Sequence, residues 1–141
     1  MFSFWSTANK SYFASLLDAE GCVSYTSGTR KCGPNFTVSF KMTTPAAMQP
    51  LADHYGLKVR MVPDSRPNHR VCHEMRLFGT QAKDFLRQVR PRLKVKEAQA
   101  DAVIQCDMRS SECRREAADL LRELNRRGTG LIDVSNKEEA A

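Results

Sequence analysis

Two acidic residues, Asp18 and Glu20, close the stretch YFASLLDAEG and stand just before a glycine. The residues that precede them favour a helix. The C-terminal end of a helix carries partial negative charge, so each acid there is disfavoured by about 0.3–1 kcal/mol. Carboxylate oxygens can bind divalent cations and can accept hydrogen bonds. We therefore interpret the two acids as candidate functional residues and not as residues that stabilise their helix.

The helix that would position the acids is predicted from about Ala8 to Ala19, with Ser6 or Thr7 as its N-cap. At 100° per residue the side chains divide into two faces. The apolar face would cover the core, and the opposite face of small residues would let another backbone approach closely. The apolar face consists of Tyr12, Phe13, Leu16 and Leu17, and the small face of Ser11, Ala14, Ser15 and Asp18.

Beyond Gly21 the apolar period becomes two in CVSYTSGTR and NFTVSFKM, which predicts a hairpin with one apolar and one polar face. A helix is expected next, with Thr44 as N-cap, Pro45 as first residue and Tyr55 near its end. A second strand pair, LKVRMV and HRVCHEMRLFG, would place Val71, Met75 and Leu77 in the core. Further helices are predicted over QAKDFLRQVR, LKVKEAQADAVIQCDM and SSECRREAADLLRELNRRG.

This order of elements predicts an α+β domain over residues 1–127, with the helices on one side of a four-stranded sheet. Residues 128–141 are expected to form a flexible C-terminal tail. A length of 141 residues suits one domain with one core.

The composition indicates the kind of partner and the compartment. The formal net charge of +6 favours a polyanionic partner, although a basic protein can also be merely soluble. Five cysteines without a CxxC pair favour free thiols in a reducing compartment. No signal-peptide pattern or membrane-spanning apolar run is present in the sequence. The excess of arginine over lysine favours a bacterial or phage-infected cytoplasm over an organelle.

The stretch FASLLDAEG resembles the signature of the LAGLIDADG homing endonucleases, and the predicted order is similar to that family's αββαββα core. A second segment, FLRQVRPRLKVKEAQA, is similar to the part of the family that follows the last strand. The resemblance runs from about Tyr12 to Ala100 and implies a saddle-like antiparallel sheet with extra C-terminal helices. One motif per chain implies a homodimer whose two motif helices pack together, with Ala14, Ser15 and Asp18 in the interface.

The resemblance also implies site residues. Glu20, with the preceding Ala19, matches the metal position for Mg²⁺ or Mn²⁺, and Lys96 matches the basic residue of the active site, with Lys94 as a competing candidate. Thr44 stands where many active members carry a polar residue such as glutamine, and Met48 replaces another polar position. Asp18 is favoured as a structural residue at the helix junction over a metal ligand.

In the family the polar face of the sheet lies in the DNA major groove. Arginine pairs best with guanine, and asparagine and glutamate can read adenine and cytosine. Arg66 and His69, in the loop between strands, are expected to contact phosphate. The candidate DNA-binding residues are Ser24, Thr26, Arg30, Asn35, Thr37, Ser39, Lys41, Arg60, Arg66, His69, Arg70, Glu74 and Arg76.

The function implied is a homodimeric, Mg²⁺-dependent, site-specific endonuclease that cuts a long pseudopalindromic site in double-stranded DNA. Neither a membrane nor a small-molecule substrate is expected. The mobile setting would be an intron, an intein or a free-standing gene. The alternative is a DNA-binding relative without cleavage, such as a regulator or splicing helper, which Thr44 and Met48 favour. A third interpretation is a small α+β protein with no nucleic-acid role.

Overall fold

The computed structural model describes residues 3–26, 34–63 and 71–127. Candidate residues Arg30, Arg66, His69 and Arg70, and the predicted tail at 128–141, lie outside these ranges. None of the helices in the described ranges has the length and apolar character needed to cross a membrane. The helices and strands are α1 (Thr7–Glu20), β1 (Gly21–Thr26), β2 (Asn35–Met42), α2 (Gln49–Tyr55), β3 (Arg60–Val62), β4 (Cys72–Phe78), α3 (Gly79–Val89), α4 (Glu97–Ile104) and α5 (Ser111–Arg127). Short 3₁₀ turns lie at Pro45–Ala47 and Arg90–Arg92.

The four strands form an antiparallel sheet in the order β1-β2-β4-β3. Because side chains alternate across a strand, cross-strand pairs divide cleanly between the two faces. Val38 pairs with Val23 on one side and Leu77 on the other, and all three are buried. Ser39 and Arg76 pair on the opposite, polar face. The predicted α+β architecture is confirmed.

The core lies between the apolar face of the sheet and the helices. Phe13 and Leu17 of α1 and Phe85 of α3 have almost no accessible surface, and the Phe40 and Phe85 rings meet edge to face at 5.8 Å. This packing holds α1 against the sheet. The C-terminal end of α1 therefore has a defined position.

Two glycines allow close approaches at the ends of strands. At Gly21, a Cβ would collide with the Leu17 side chain and lie 3.0 Å from the Leu17 backbone, so only glycine permits this tight passage from α1 into β1. Gly79 has φ of +56° and its missing Cβ leaves room for the Asn35 side chain. Contact with Leu17 thus explains on steric grounds why the motif ends in a glycine, Gly21.

Several sequence expectations were wrong in detail. Tyr12 and Val71 were predicted in the core, but they are 46% and 45% exposed. The Tyr12 hydroxyl donates to the carbonyl of Ala47 at 3.2 Å in an exposed hydrogen bond. Val71 lies before the first residue of β4, so the alternation of that strand does not place it in the core.

The helix boundaries also differ. The helix predicted from Thr44 is divided at Met48 into a 3₁₀ turn and α2, and the Thr44 hydroxyl makes no capping hydrogen bond. Residues 93–96, predicted as helical, are not helical. The backbone amides of 94–96 bind a side chain of α1 instead, and α4 begins only at Glu97.

Candidate functional site

Asp18 joins the end of α1 to the segment that precedes α4. Its carboxylate accepts the backbone N–H of Lys94 at 2.8 Å, of Val95 at 3.1 Å and of Lys96 at 2.9 Å. These residues lie 76 to 78 positions later in the chain. A carboxylate with three backbone donors is strongly satisfied. Asp18 therefore links the end of α1 to the segment before α4, and three backbone amides engage its carboxylate.

Lys96 is brought to the same helix end by this junction. Its ammonium Nζ donates to the backbone carbonyl of Asp18 at 3.3 Å, and its side chain is half-buried. A cation at the C-terminal end of a helix complements the partial negative charge there. Lys94 is exposed, and only its backbone takes part in the junction. Of the two lysines, Lys96 is the one whose side chain reaches the end of α1.

Glu20 is the last residue of α1, and its side chain is exposed. Among the described residues, 3–26, 34–63 and 71–127, none forms a hydrogen bond or an ion pair with Glu20. Ala19 beside it is exposed as well. The two acids therefore have different surroundings: Asp18 is engaged by backbone donors of the fold, and Glu20 presents a carboxylate without a partner among the described residues.

Thr44 lies at the same end of the sheet as Glu20. Gly21 pairs with Phe40, so the chain beyond β2 runs past the start of β1 at the level of the α1 terminus. Thr44 is exposed, whereas Met48 is completely buried. Met48 thus packs in the core, whereas Thr44, like its neighbour Thr43, stays accessible.

The surface of α1 expected to contact a second chain needs correction at two positions. Ala14 has no accessible surface because it packs in the chain's own core. Asp18 is half-buried at the junction just described. Ser15 alone of the three expected residues is exposed, and it shares its face with Ser11, Tyr12 and Ala19 at spacings of three or four residues.

The polar face of the sheet gathers the described DNA-binding candidates. Cross-strand pairs Ser24–Thr37, Thr26–Asn35 and Ser39–Arg76 lie on this face, as do Lys41–Glu74 and Arg60–Glu74. Nine candidates from the four strands are thereby brought onto one surface. They are Ser24, Thr26, Asn35, Thr37, Ser39, Lys41, Arg60, Glu74 and Arg76.

Thr37 and Glu74 are less accessible than a base-reading role requires. Thr37 is only 2% exposed, and its hydroxyl has no hydrogen-bond partner in the described part of the chain. Glu74 is 9% exposed, and its Oε1 accepts from Arg76 Nε at 2.6 Å and Arg60 Nη2 at 3.2 Å. The proposed reading of cytosine by Glu74 conflicts with these bonds, since the carboxylate is already engaged.

The pKa of Glu74 agrees with its role as the anion that binds Arg76 and Arg60. Burial acts to raise the pKa of Glu74, but hydrogen bonds and charges from Arg76 and Arg60 outweigh it and hold the pKa below its ordinary value. The carboxylate is therefore ionised across the neutral range and binds both guanidinium groups as an anion.

A cavity of about 350 Å³ opens beside this cluster. Its walls include Lys58 and Phe78, neither of which was predicted from the sequence as a site residue, and Phe78 is 45% exposed. The period of two in β4 places Phe78 on the same face as Glu74 and Arg76, so the alternation was the signal that could have identified it. The lining residues are Leu57, Lys58, Arg60, Arg76 and Phe78.

The sheet, the helix order and the position of the motif helix define one class of structure, the LAGLIDADG homing-endonuclease fold. Solved homing endonucleases confirm it. I-CvuI, in complex with the I-CreI target and Mg with the DNA not cleaved, is 21% identical, with a TM-score of 0.62 over 87% of this chain and 83% of that chain. I-TnaI is 15% identical, with a TM-score of 0.57 over 92% and 96% of the two chains.

The archaeal intron-encoded I-Vdi141I, complexed with DNA, is 15% identical, with a TM-score of 0.55 over 84% of this chain and 83% of its own. No protein-family model and no curated protein matches the sequence. The structural likeness therefore carries the assignment of the fold, as the motif and the order of elements had predicted.

Proposed function

We propose that this chain is a site-specific endonuclease of double-stranded DNA that acts as a homodimer and requires a divalent cation. The observation that carries the proposal is the end of α1, where Glu20 is exposed without a partner among the described residues and the Lys96 ammonium donates to the Asp18 carbonyl two residues earlier. The basic, polar sheet face extends from this point. Similar solved proteins are homing endonucleases, and I-CvuI and I-Vdi141I are DNA complexes.

A divalent cation fits the donors at the end of α1 when two chains and DNA contribute together. Among the described residues, no group of three or more histidine, cysteine, aspartate or glutamate side chains could hold a metal ion. Mg²⁺ is commonly bound through one or two carboxylates together with substrate phosphates. Glu20 and Ala19 would supply the protein side of such a site. A bound cation would lower the pKa of water and offset negative charge on phosphate.

The chain's own residues have separate tasks in this proposal. Glu20 presents the carboxylate that faces the phosphate backbone. Lys96 holds a positive charge close to the same point and stabilises the negative charge that grows on the phosphate as water attacks it. Asp18 fixes Lys96 by holding the backbone of residues 94–96. Preorganised charge of this kind needs little rearrangement during the reaction.

The dimer would form through the exposed face of α1. Ser11, Ser15 and Ala19 are small, so two such helices can approach closely. A two-fold axis between the helices would bring two copies of Glu20 together and align two polar sheet faces. Each face would then read one half of a long pseudopalindromic site, which explains why one motif suffices in each chain.

The direct test uses duplex DNA that spans the insertion site of the gene, with the inserted element removed. Incubation with Mg²⁺ is expected to give a staggered double-strand break, and EDTA is expected to prevent it. Glu20→Gln should abolish the break, whereas Glu116→Gln, a change at an exposed glutamate of α5, should not. Intact DNA in every reaction with the unaltered protein would overturn the endonuclease proposal.

A second candidate function is DNA binding without cleavage, as a regulator or a splicing helper. The observation in its favour is the chain after β2: Met48 is buried, and the Thr44 hydroxyl lacks a capping bond. In that case Glu20→Gln would leave the biological effect unchanged. The setting proposed for either function is a mobile intron, an intein or a free-standing gene in a reducing, bacterial or phage-infected cytoplasm.

A further inference from the structure

The β3–β4 part of the polar face contains a carboxylate shared by two arginines. Arg60 of the edge strand β3 is the cross-strand partner of Glu74, and Arg76 lies two residues further along β4 on the same face. One oxygen of Glu74 accepts from both guanidinium groups. The Glu74 side chain is 11% exposed, and those of Arg60 and Arg76 are 67% and 44% exposed.

The difference in exposure between Glu74 and the two arginines indicates that the cluster orients the arginines more than it stabilises the fold. Ion pairs whose cations lie mostly in solvent contribute little to folding stability. A buried anion with two exposed cations instead restricts the rotamers of both arginines. Arg76 uses Nε toward Glu74, and none of the described residues accepts from its Nη1 or Nη2. That planar fork matches the O6 and N7 acceptors of guanine in the major groove.

The surroundings of the two arginines include apolar side chains as well as charge. The cavity of about 350 Å³ beside Arg60 and Arg76 is lined by Leu57 and Phe78 together with Lys58. The exposed Phe78 ring offers a surface against which a base can pack beside the guanidinium groups. A phosphate contact would not need such a surface, because it depends mainly on charge.

We propose that Glu74 is a positioning residue that orients Arg76, together with Arg60, to select guanine at one position of each DNA half-site. The proposal rests on the function proposed above and adds a specificity determinant to it. Glu74 contacts no base itself. Its removal would leave two mobile arginines and one fewer negative charge on the DNA-binding face.

The test is selection of bound duplexes from a library of random double-stranded DNA in Ca²⁺, followed by sequencing. The unaltered protein is expected to enrich a site with guanine at one position per half-site. Glu74→Gln should lower the guanine preference there about tenfold, while binding to unrelated DNA stays equal or rises because an anion is lost. Asp119→Asn is the matched control, because Asp119 pairs with Arg122 at 2.8 Å on the surface of α5.

Arg76→Lys keeps the charge without the fork and gives an independent measure. It should lose the same guanine preference and keep the salt dependence of binding. Circular dichroism and thermal unfolding establish that each variant is folded. An unaltered guanine preference in Arg76→Lys, or a Glu74→Gln effect that weakens all sequences equally, would overturn the assignment. If the unaltered protein enriches no sequence, the proposed function fails as well.

Discussion

Two carboxylates in this molecule are used within the fold in different ways. At the end of α1, Asp18 binds three backbone amides of a segment far along the chain and so fixes a backbone. On the polar sheet face, Glu74 binds two arginine side chains and so restricts rotamers. The first fixes the backbone that carries Lys96, and the second restrains the side chain of Arg76. Comparison of the two shows that an acid in a basic protein can act by positioning cationic side chains.

Glu20 is the third acid in the comparison, and it differs from both because no described residue engages it. If this availability reflects metal binding, Glu20→Gln should reduce cleavage by at least about a hundredfold, the largest effect expected of any single substitution in this chain. Cleavage rates at saturating Mg²⁺ measure this effect. The Glu116→Gln control should cleave normally. Substantial residual cleavage would show that Glu20 is no different from an ordinary surface acid.

The junction can be broken by Asp18→Ala. Three amide donors would lose a charged acceptor, so the free energy of unfolding should fall by about 2–3 kcal/mol. Urea denaturation measures the loss. Asp18→Asn, which keeps an acceptor oxygen, should show a smaller loss. A stability unchanged in both variants would contradict the role assigned to the junction.

Substitution of the two lysines next to the junction, Lys94 and Lys96, tests whether the junction matters for cleavage. Lys96→Met removes the charge held at the end of α1 and should slow cleavage by about ten- to a hundredfold with little change in DNA affinity. Lys94→Met removes an exposed charge and should change the rate by less than about threefold. Single-turnover rates separate the two. Equal effects would mean that the contact of Lys96 with Asp18 has no catalytic consequence.

The smallest expected effect is the pH dependence of stability that Glu74 contributes. Glu74 pairs across the strands with Lys41 of β2 and binds the two arginines. The folded pKa of Glu74 is lowered from its ordinary value of 4.5. Its contribution to stability is therefore complete above pH 4.5 and is lost as the pH falls through the folded pKa. The contribution is on the order of 1 kcal/mol or less.

The free energies of unfolding of the unaltered protein and of Glu74→Gln can be measured by denaturation between pH 3 and pH 7. The difference between the two proteins should be present at pH 7 and disappear toward the acid end. A difference independent of pH would place the effect of the substitution in packing instead of charge.

Local patterns predicted much of the fold because they record local constraints. Alternation in NFTVSFKM and in the last strand placed Val38 and Leu77 in the core and Ser39 and Arg76 on the polar face. Helical spacing identified α1, and the Ser6 hydroxyl does accept the Asn9 amide at its start. Patterns failed where distant groups compete. Residues 93–96 look helical in sequence, yet the amides of 94–96 bind Asp18.

The candidate site was predictable in its composition but not in its geometry. Glu20, Lys96 and the polar strand residues could be selected from the sequence and its resemblance. Ala14 and Thr37 are buried, so neither is accessible on the surface of α1 or on the polar face of the sheet. These two outcomes depend on which neighbours cover a side chain. Phe78, in contrast, lies on the polar face by the alternation of β4, which the sequence already contains.

By itself, the sequence determined the order of helices and strands, the two faces of the sheet and the motif that ends in Glu20. These follow from periodicity and from residue types over a few neighbouring positions. The tertiary structure alone decided which backbone amides Asp18 binds, that no described residue engages Glu20 and that Glu74 binds two arginines. The physical reason is that hydrogen bonding and desolvation depend on partners brought together from distant parts of the chain.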